Sequence, residues 1–154
     1  MSRVVGIVAR TDRKEALKLA TEVMNRFEAA GSTVLLEPRL ASNIGRSESA
    51  RPLKEMNTDL IVTIGGDGTI LRTCLLLPKP EPPILAVDMG IRGFLTEVSP
   101  KDALTAVEQY LKGAYTLERC SKIASYIGDK RLPDALNEVF VTSRSLAKLL
   151  HVLI

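Results

Sequence analysis

Residues 59–69 read Asp-Leu-Ile-Val-Thr-Ile-Gly-Gly-Asp-Gly-Thr. Asp59 to Ile64 is a nearly continuous apolar run, the pattern of a strand buried on both faces in a parallel sheet. It runs directly into Gly65-Gly66-Asp67-Gly68-Thr69, and Ile70 to Leu77 then predicts a short apolar helix stopped at Pro78. Open α/β sheets bind ligands at the carboxyl ends of such strands. Glycines permit backbone angles that other residues resist, and they let phosphate oxygens approach main-chain N–H groups. The following helix points its positive end at the same spot. Thr69 could supply a hydroxyl or cap that helix. Asp67 is a carboxylate suited to binding Mg²⁺, accepting a hydroxyl proton or holding a sugar hydroxyl. Arg72, one turn further on, either meets a phosphate or faces solvent. No Lys follows Gly68, so the turn is not a Walker A loop, and Gly6 stands alone, so the first strand carries no dinucleotide fingerprint.

Upstream, Val4 to Ala9 predicts another buried strand, and Asp12 with Glu15 reads as a helix-capping pair. Leu17, Ala20, Val23, Met24, Phe27 and Ala30 form one apolar stripe at helical spacing, stopped by Gly31. Thr33 to Glu37 is the next strand, completing a βαβ unit. Pro38 to Arg51 reads as a mobile polar loop. Downstream, Ile84 to Val87 is a fourth strand, followed by Asp88 to Leu95, where Phe94 and Leu95 are expected to anchor the loop in the core. Ser99 and Pro100 open a helix whose inner stripe is Ala103, Leu104, Val107 and Leu111, ended by Gly113.

The character changes after Gly113. Tyr115 to Leu117, Ile123 to Ile127, Leu136 to Thr142 and Lys148 to Ile154 read as strands with no long helix between them. The fold class is therefore α/β: a Rossmann-like parallel sheet with helices on both faces over residues 1–113, then the start of a β-rich second domain over 114–154. The apolar final strand has no turn or tail after it, which predicts a fragment cut partway into that domain.

Composition narrows the function. There are 154 residues, 21 Lys+Arg against 18 Asp+Glu, and the net charge of +3 is spread along the chain, which excludes a basic nucleic-acid arm. Aromatic residues make up only 4%, too few for base-stacking platforms. Cys74 and Cys120 match no disulfide or zinc pattern, so reduced thiols and a cytoplasmic location are expected. No apolar run is long enough to span a membrane. His151, the one histidine, sits in an apolar run and reads as structural.

Gly65 to Thr69 resembles the GGDGT motif shared by NAD kinases, diacylglycerol and sphingosine kinases and, less closely, phosphofructokinases. Asp88 to Glu97 (DMGIRGFLTE) resembles the NAD-kinase segment N-x-G-x-x-G-F-L-T, with Asp88 where that family usually has Asn. Leu136-Asn137-Glu138-Val139 resembles its Asn-Glu motif, and Ala147-Lys148 lies where it places a further dinucleotide contact. In order and spacing the motifs are similar to NAD kinases over nearly the whole chain.

The resemblance implies phosphoryl transfer from ATP or polyphosphate to the 2′-hydroxyl of the adenosine ribose of NAD, with Mg²⁺ or another divalent cation. Asp67 would be the proton acceptor. Gly65, Gly66, Gly68, Thr69 and Arg72 would meet phosphates or the dinucleotide, and Asn137, Glu138 and Lys148 the ribose and adenine side. No protein-held metal ligands are implied. The second domain would be a β-sandwich completing the NAD pocket, the intact protein a homo-oligomer, and residues 1–154 alone weakly active or inactive. On the residues alone, Asn137-Glu138 reads rather as a plain strand entry with solvent-facing polar groups. A lipid-type kinase sharing the glycine turn and a catalytically incompetent nucleotide-binding module are the alternatives.

Overall fold

The computed structural model describes residues 3–90 and 93–143. The chain divides into two compact units, the first ending at Arg119 and the second beginning at Cys120. The first holds β1 (Val4–Ala9), α1 (Lys14–Ala29), β2 (Thr33–Leu36), α2 (Pro38–Asn43), β3 (Leu60–Gly65), α3 (Asp67–Leu76), β4 (Ile84–Asp88) and α4 (Ala103–Leu111). The second holds a two-stranded antiparallel hairpin, β5 (Tyr126–Ile127) and β6 (Lys130–Arg131).

The four long strands form one parallel sheet in the order β2-β1-β3-β4. The continuous apolar runs have a direct cause, since both faces of the sheet are covered. On one face Val5, Ile7, Ala9, Val34, Leu36, Leu60, Val62, Ile64 and Val87 pack with the inner residues of α1, α2 and α4. On the other, Val8 and Ile61 pack with Leu53, Met56 and Leu77. All six residues of β3 are buried. The α1 stripe runs Ala16, Leu19, Ala20, Val23, Met24 and Phe27, with Ala30 outside it at the exposed C-cap. Phe27 meets Tyr110 of α4 edge-on, ring centroids 6.1 Å apart. Gly31 and Gly113 end their helices at φ of 79° and 73°, where a side chain would be strained.

Several local expectations are corrected. Residues 38–51 are not one loop, because Pro38 opens α2, Leu40 and Ala41 bury against the core, and Ser47–Ser49 makes a further helical turn. Asp12 and Glu15 do not cap α1: the N-cap is Arg13, without a side-chain cap, and Asp12 is committed to Arg10. In α4 the inner face uses Ala103, Val107 and Tyr110, and Leu104 lies outward. Phe94 does not anchor the loop, since it is fully exposed. Tyr115 to Leu117 and Leu136 to Thr142 are not strands, and of 123–127 only Tyr126–Ile127 pairs as one, with Ile123 bridged singly to Ala135. Apolar alternation makes a strand only where a partner ladder exists, and among the described residues of this unit β6 and Ala135 are the partners. Lys148 to Ile154 lies outside the described residues. Among the described residues no helix is long and apolar enough to cross a membrane.

Candidate functional site

In the order β2-β1-β3-β4 the chain leaves β1 towards β2 on one side and places β3 on the other. A crevice forms outside the carboxyl ends of strands at such a switch point. Here it is a cavity of about 300 Å³ lined by Ala9, Arg10, Thr11, Asp12, Glu37, Arg39, Gly68, Thr69 and Arg72. The register explains the convergence. Ala9 pairs with Ile64 and Gly65 with Asp88, so β1, β3 and β4 end side by side.

Gly66 is the N-cap of α3 and Asp67 its first residue. The glycines of this turn are not needed for a left-handed backbone, since none of Gly65, Gly66 and Gly68 has positive φ. Space decides instead. A Cβ on Gly65 would collide with the Thr69 hydroxyl and lie 2.9 Å from Thr69 Cβ. A Cβ on Gly66 or Gly68 would meet nothing within 4 Å, so both present bare backbone to open space. The Thr69 side chain does not cap α3, and its amide donates to Gly66 O at 2.9 Å.

The Asp67 carboxylate faces the loop after β4. Phe94 N donates to Oδ2 at 2.9 Å and Leu95 N to Oδ1 at 3.0 Å. Gly93 is required by that approach, because a Cβ there would strike Asp67 Oδ1 and sit 2.6 Å from Thr96 Oγ1. Turning the amides of Phe94 and Leu95 inward sends the Phe94 ring out to solvent. Asp88 braces the same loop: Oδ1 accepts from Gly90 N at 2.9 Å and Oδ2 from Gly93 N at 3.1 Å. Asp88 therefore acts as a turn cap with both oxygens in use. An Asn would put a donor NH₂ in place of one of these oxygens, and that group cannot accept from a loop amide.

Arg72 is half-exposed, and its Nη1 donates to Glu37 Oε1 at 3.2 Å. Glu37 is buried at the end of β2, with 7% of its surface exposed. Arg10 grips Asp12 with two hydrogen bonds, of 2.8 and 2.6 Å. That hydrogen bonding brings the Asp12 carboxyl down from its ordinary 3.8 to about 2 and raises the Arg10 guanidinium. Arg13 donates to Met89 O at 3.1 Å, tying the start of α1 to the loop after β4.

The structure thus brings Gly65, Gly66, Asp67, Gly68, Thr69 and Arg72 to one place. Asn137 and Glu138 are exposed in the second unit, at and just after a bend, and Lys148 and His151 lie outside the described residues. Sequence reasoning passed over Arg10, Thr11, Glu37 and Arg39. Their signal was positional, as each follows closely on the carboxyl end of β1 or β2.

Among the described residues the donor set offers a resident metal no cluster of ligands. All four oxygens of Asp67 and Asp88 accept loop amides. No group of three or more His, Cys, Asp or Glu side chains among the described residues could hold an ion. A magnesium ion commonly keeps several waters and is carried on phosphates rather than held in an all-protein cage.

Fold and cleft together define an open parallel α/β domain with a glycine turn and a carboxylate beside its topological switch point. The family described as "ATP-NAD kinase N-terminal domain" matches residues 5–115, and the chain belongs to that family. It is 40% identical over 149 residues to the NAD kinase of Methanothermobacter thermautotrophicus, covering 96% of this chain and 52% of that one. It is 41% identical over 150 residues to that of Pyrococcus furiosus, covering 96% and 54%. The chain spans about half the length of the curated relatives it matches. Among solved structures it is similar to an NAD kinase from Archaeoglobus fulgidus in complex with ATP, with TM-score 0.67, 32% identity, and coverage of 94% of this chain and 50% of that one. A yeast NADH kinase complexed with NADH shares the fold, with TM-score 0.63, 23% identity, and coverage of 73% and 39%.

Proposed function

We propose that this chain supplies the phosphoryl-transfer half of a cytoplasmic NAD kinase, with Asp67 as the proton acceptor. The observation that carries the reading is the adjacency of two features on one turn. Gly68 and Thr69 line the cavity, and the neighbouring Asp67 carboxylate is held by two loop amides. The first-turn amides of α3 and the helix end favour the donor's phosphates. Each Asp67 oxygen retains a second lone-pair direction beyond the amide it accepts. A ribose 2′-hydroxyl placed there attacks the terminal phosphorus of ATP. The new O–P bond forms as the bond to the bridging oxygen breaks, and the hydroxyl proton passes to Asp67. Catalysis of this kind is mostly positioning and electrostatics.

Asn137, Glu138 and Lys148 are the dinucleotide's partners in this reading, supported by the match to NAD-kinase relatives across 96% of the chain. Residues 1–154 alone then turn over slowly. The test joins this chain to the remaining half of a curated relative and follows NADP formation. Asp67→Asn is expected to lower kcat by about a hundredfold or more, the scale of a lost general base, with little change in KM for NAD. Unchanged kcat would reject Asp67 as the proton acceptor. A joined protein that phosphorylates diacylglycerol and not NAD would reject the substrate assignment.

A further inference from the structure

We infer that the cavity at the ends of β1, β2 and β3 reads the ribose diol of a ribonucleotide donor through Glu37, and so selects a nucleoside triphosphate over inorganic polyphosphate. The inference rests on the phosphoryl-transfer reading above and specifies its donor. Glu37 is buried and lines the cavity, and its Oε1 accepts from Arg72. The bond from Arg72 goes to Oε1 and leaves Oε2 outside it. An ionised carboxylate only accepts hydrogen bonds, so the ligand must bring O–H or N–H donors. An acid at the end of a strand beside a phosphate-binding helix start is the usual reader of ribose hydroxyls in open α/β sheets.

The remaining charges point the same way. Three guanidiniums, of Arg10, Arg39 and Arg72, face two carboxylates, Asp12 and Glu37, around the cavity. Arg10 is committed to Asp12 and Arg72 to Glu37, and the exposed Arg39 has no carboxylate partner among the described residues. A bare polyphosphate entering this space brings no O–H or N–H donor, so its oxygens would meet Glu37 acceptor to acceptor. A ribonucleotide would instead lay its phosphates over Gly68, Thr69 and Arg39 and turn its diol to Glu37. A volume of about 300 Å³ is at the small end for ligand cavities, a size for ribose and phosphates with the base reaching outward.

Calorimetry on the 154-residue chain decides the matter with three probes: ATP, 2′,3′-dideoxy-ATP and tripolyphosphate. ATP is expected to bind roughly tenfold or more tighter than dideoxy-ATP, the size of a lost hydrogen bond to a charged group. Glu37→Gln is expected to erase that ratio while Arg39→Ala weakens both nucleotides alike. Dideoxy-ATP or tripolyphosphate binding as tightly as ATP overturns the inference, and so does the absence of ATP binding at millimolar concentration. Because the probe comparison uses the unaltered chain, misfolding of Glu37→Gln would not blunt it. NADP formation by the joined protein without diol discrimination would remove this inference alone. Diol discrimination without NAD phosphorylation would remove the kinase reading alone.

Discussion

Replacing Gly93 by Ala tests how the loop after β4 and Asp67 hold one another. The added Cβ falls against Asp67 Oδ1 and 2.6 Å from Thr96 Oγ1, with Asp67 Cγ at 3.0 Å. Either the loop or the carboxylate must then withdraw. The bonds at stake are Phe94 N to Oδ2 at 2.9 Å and Leu95 N to Oδ1 at 3.0 Å. Hydrogen bonds to charged groups contribute about 1.5–3 kcal/mol when well shielded, and at this partly buried carboxylate about 1 kcal/mol each is a suitable value. Losing both costs about 2 kcal/mol of local stability, which is about thirtyfold in an opening equilibrium. Amide hydrogen exchange resolved at Phe94 and Leu95 reads that change directly. Gly90→Ala is the control, because its Cβ would stand 3.5 Å from Asp88 Oδ1, an ordinary contact. The Gly93 variant should exchange about thirtyfold faster at both amides, and the Gly90 variant at the parental rate. Equal exchange in the two variants would refute the account of Gly93.

Two further expectations concern the scaffold. Phe27→Ala removes a fully buried ring that meets Tyr110 edge-on and should cost about 3–5 kcal/mol in urea unfolding. A loss below 1 kcal/mol would mean that α1 and α4 do not share this core. Asp12, lowered from 3.8 to about 2 by the Arg10 hydrogen bonds, should stabilise the fold fully above its unfolded value and lose that contribution as pH falls through the window from 3.8 to 2. Carboxyl NMR titration should show the low midpoint, and Arg10→Ala should move it back up; an unmoved midpoint would reject the pair.

Much of the fold is readable in one dimension because burial on both faces imposes a local signature. Val4 to Ala9 and Leu60 to Ile64 are apolar at every position but Gly6 and Thr63, and a four-residue apolar run marks Ile84 to Val87. The α1 stripe is equally plain, since one helix face meets one sheet. The glycine turn announced itself by three glycines and an acid placed directly after such a strand. Other features left weaker traces. Leu40 and Ala41 are too few to mark α2, although they close the core beside β2. Apolar alternation in Leu136 to Thr142 suggested a strand that finds no ladder among the described residues.

Local pattern alone marked the four strands of the parallel sheet, where the glycine turn lies and that Asp67 sits in it, because these follow from nearest-neighbour chemistry along the chain. Only the tertiary structure decided the strand order, and with it the meeting of Arg10, Glu37, Arg39 and Arg72 around one cavity. It also decided that Asp67 and Asp88 hold the loop between them by its amides. Those contacts join residues up to 35 positions apart, as from Glu37 to Arg72. Their formation depends on sheet register and crossover direction, which no short window of sequence encodes.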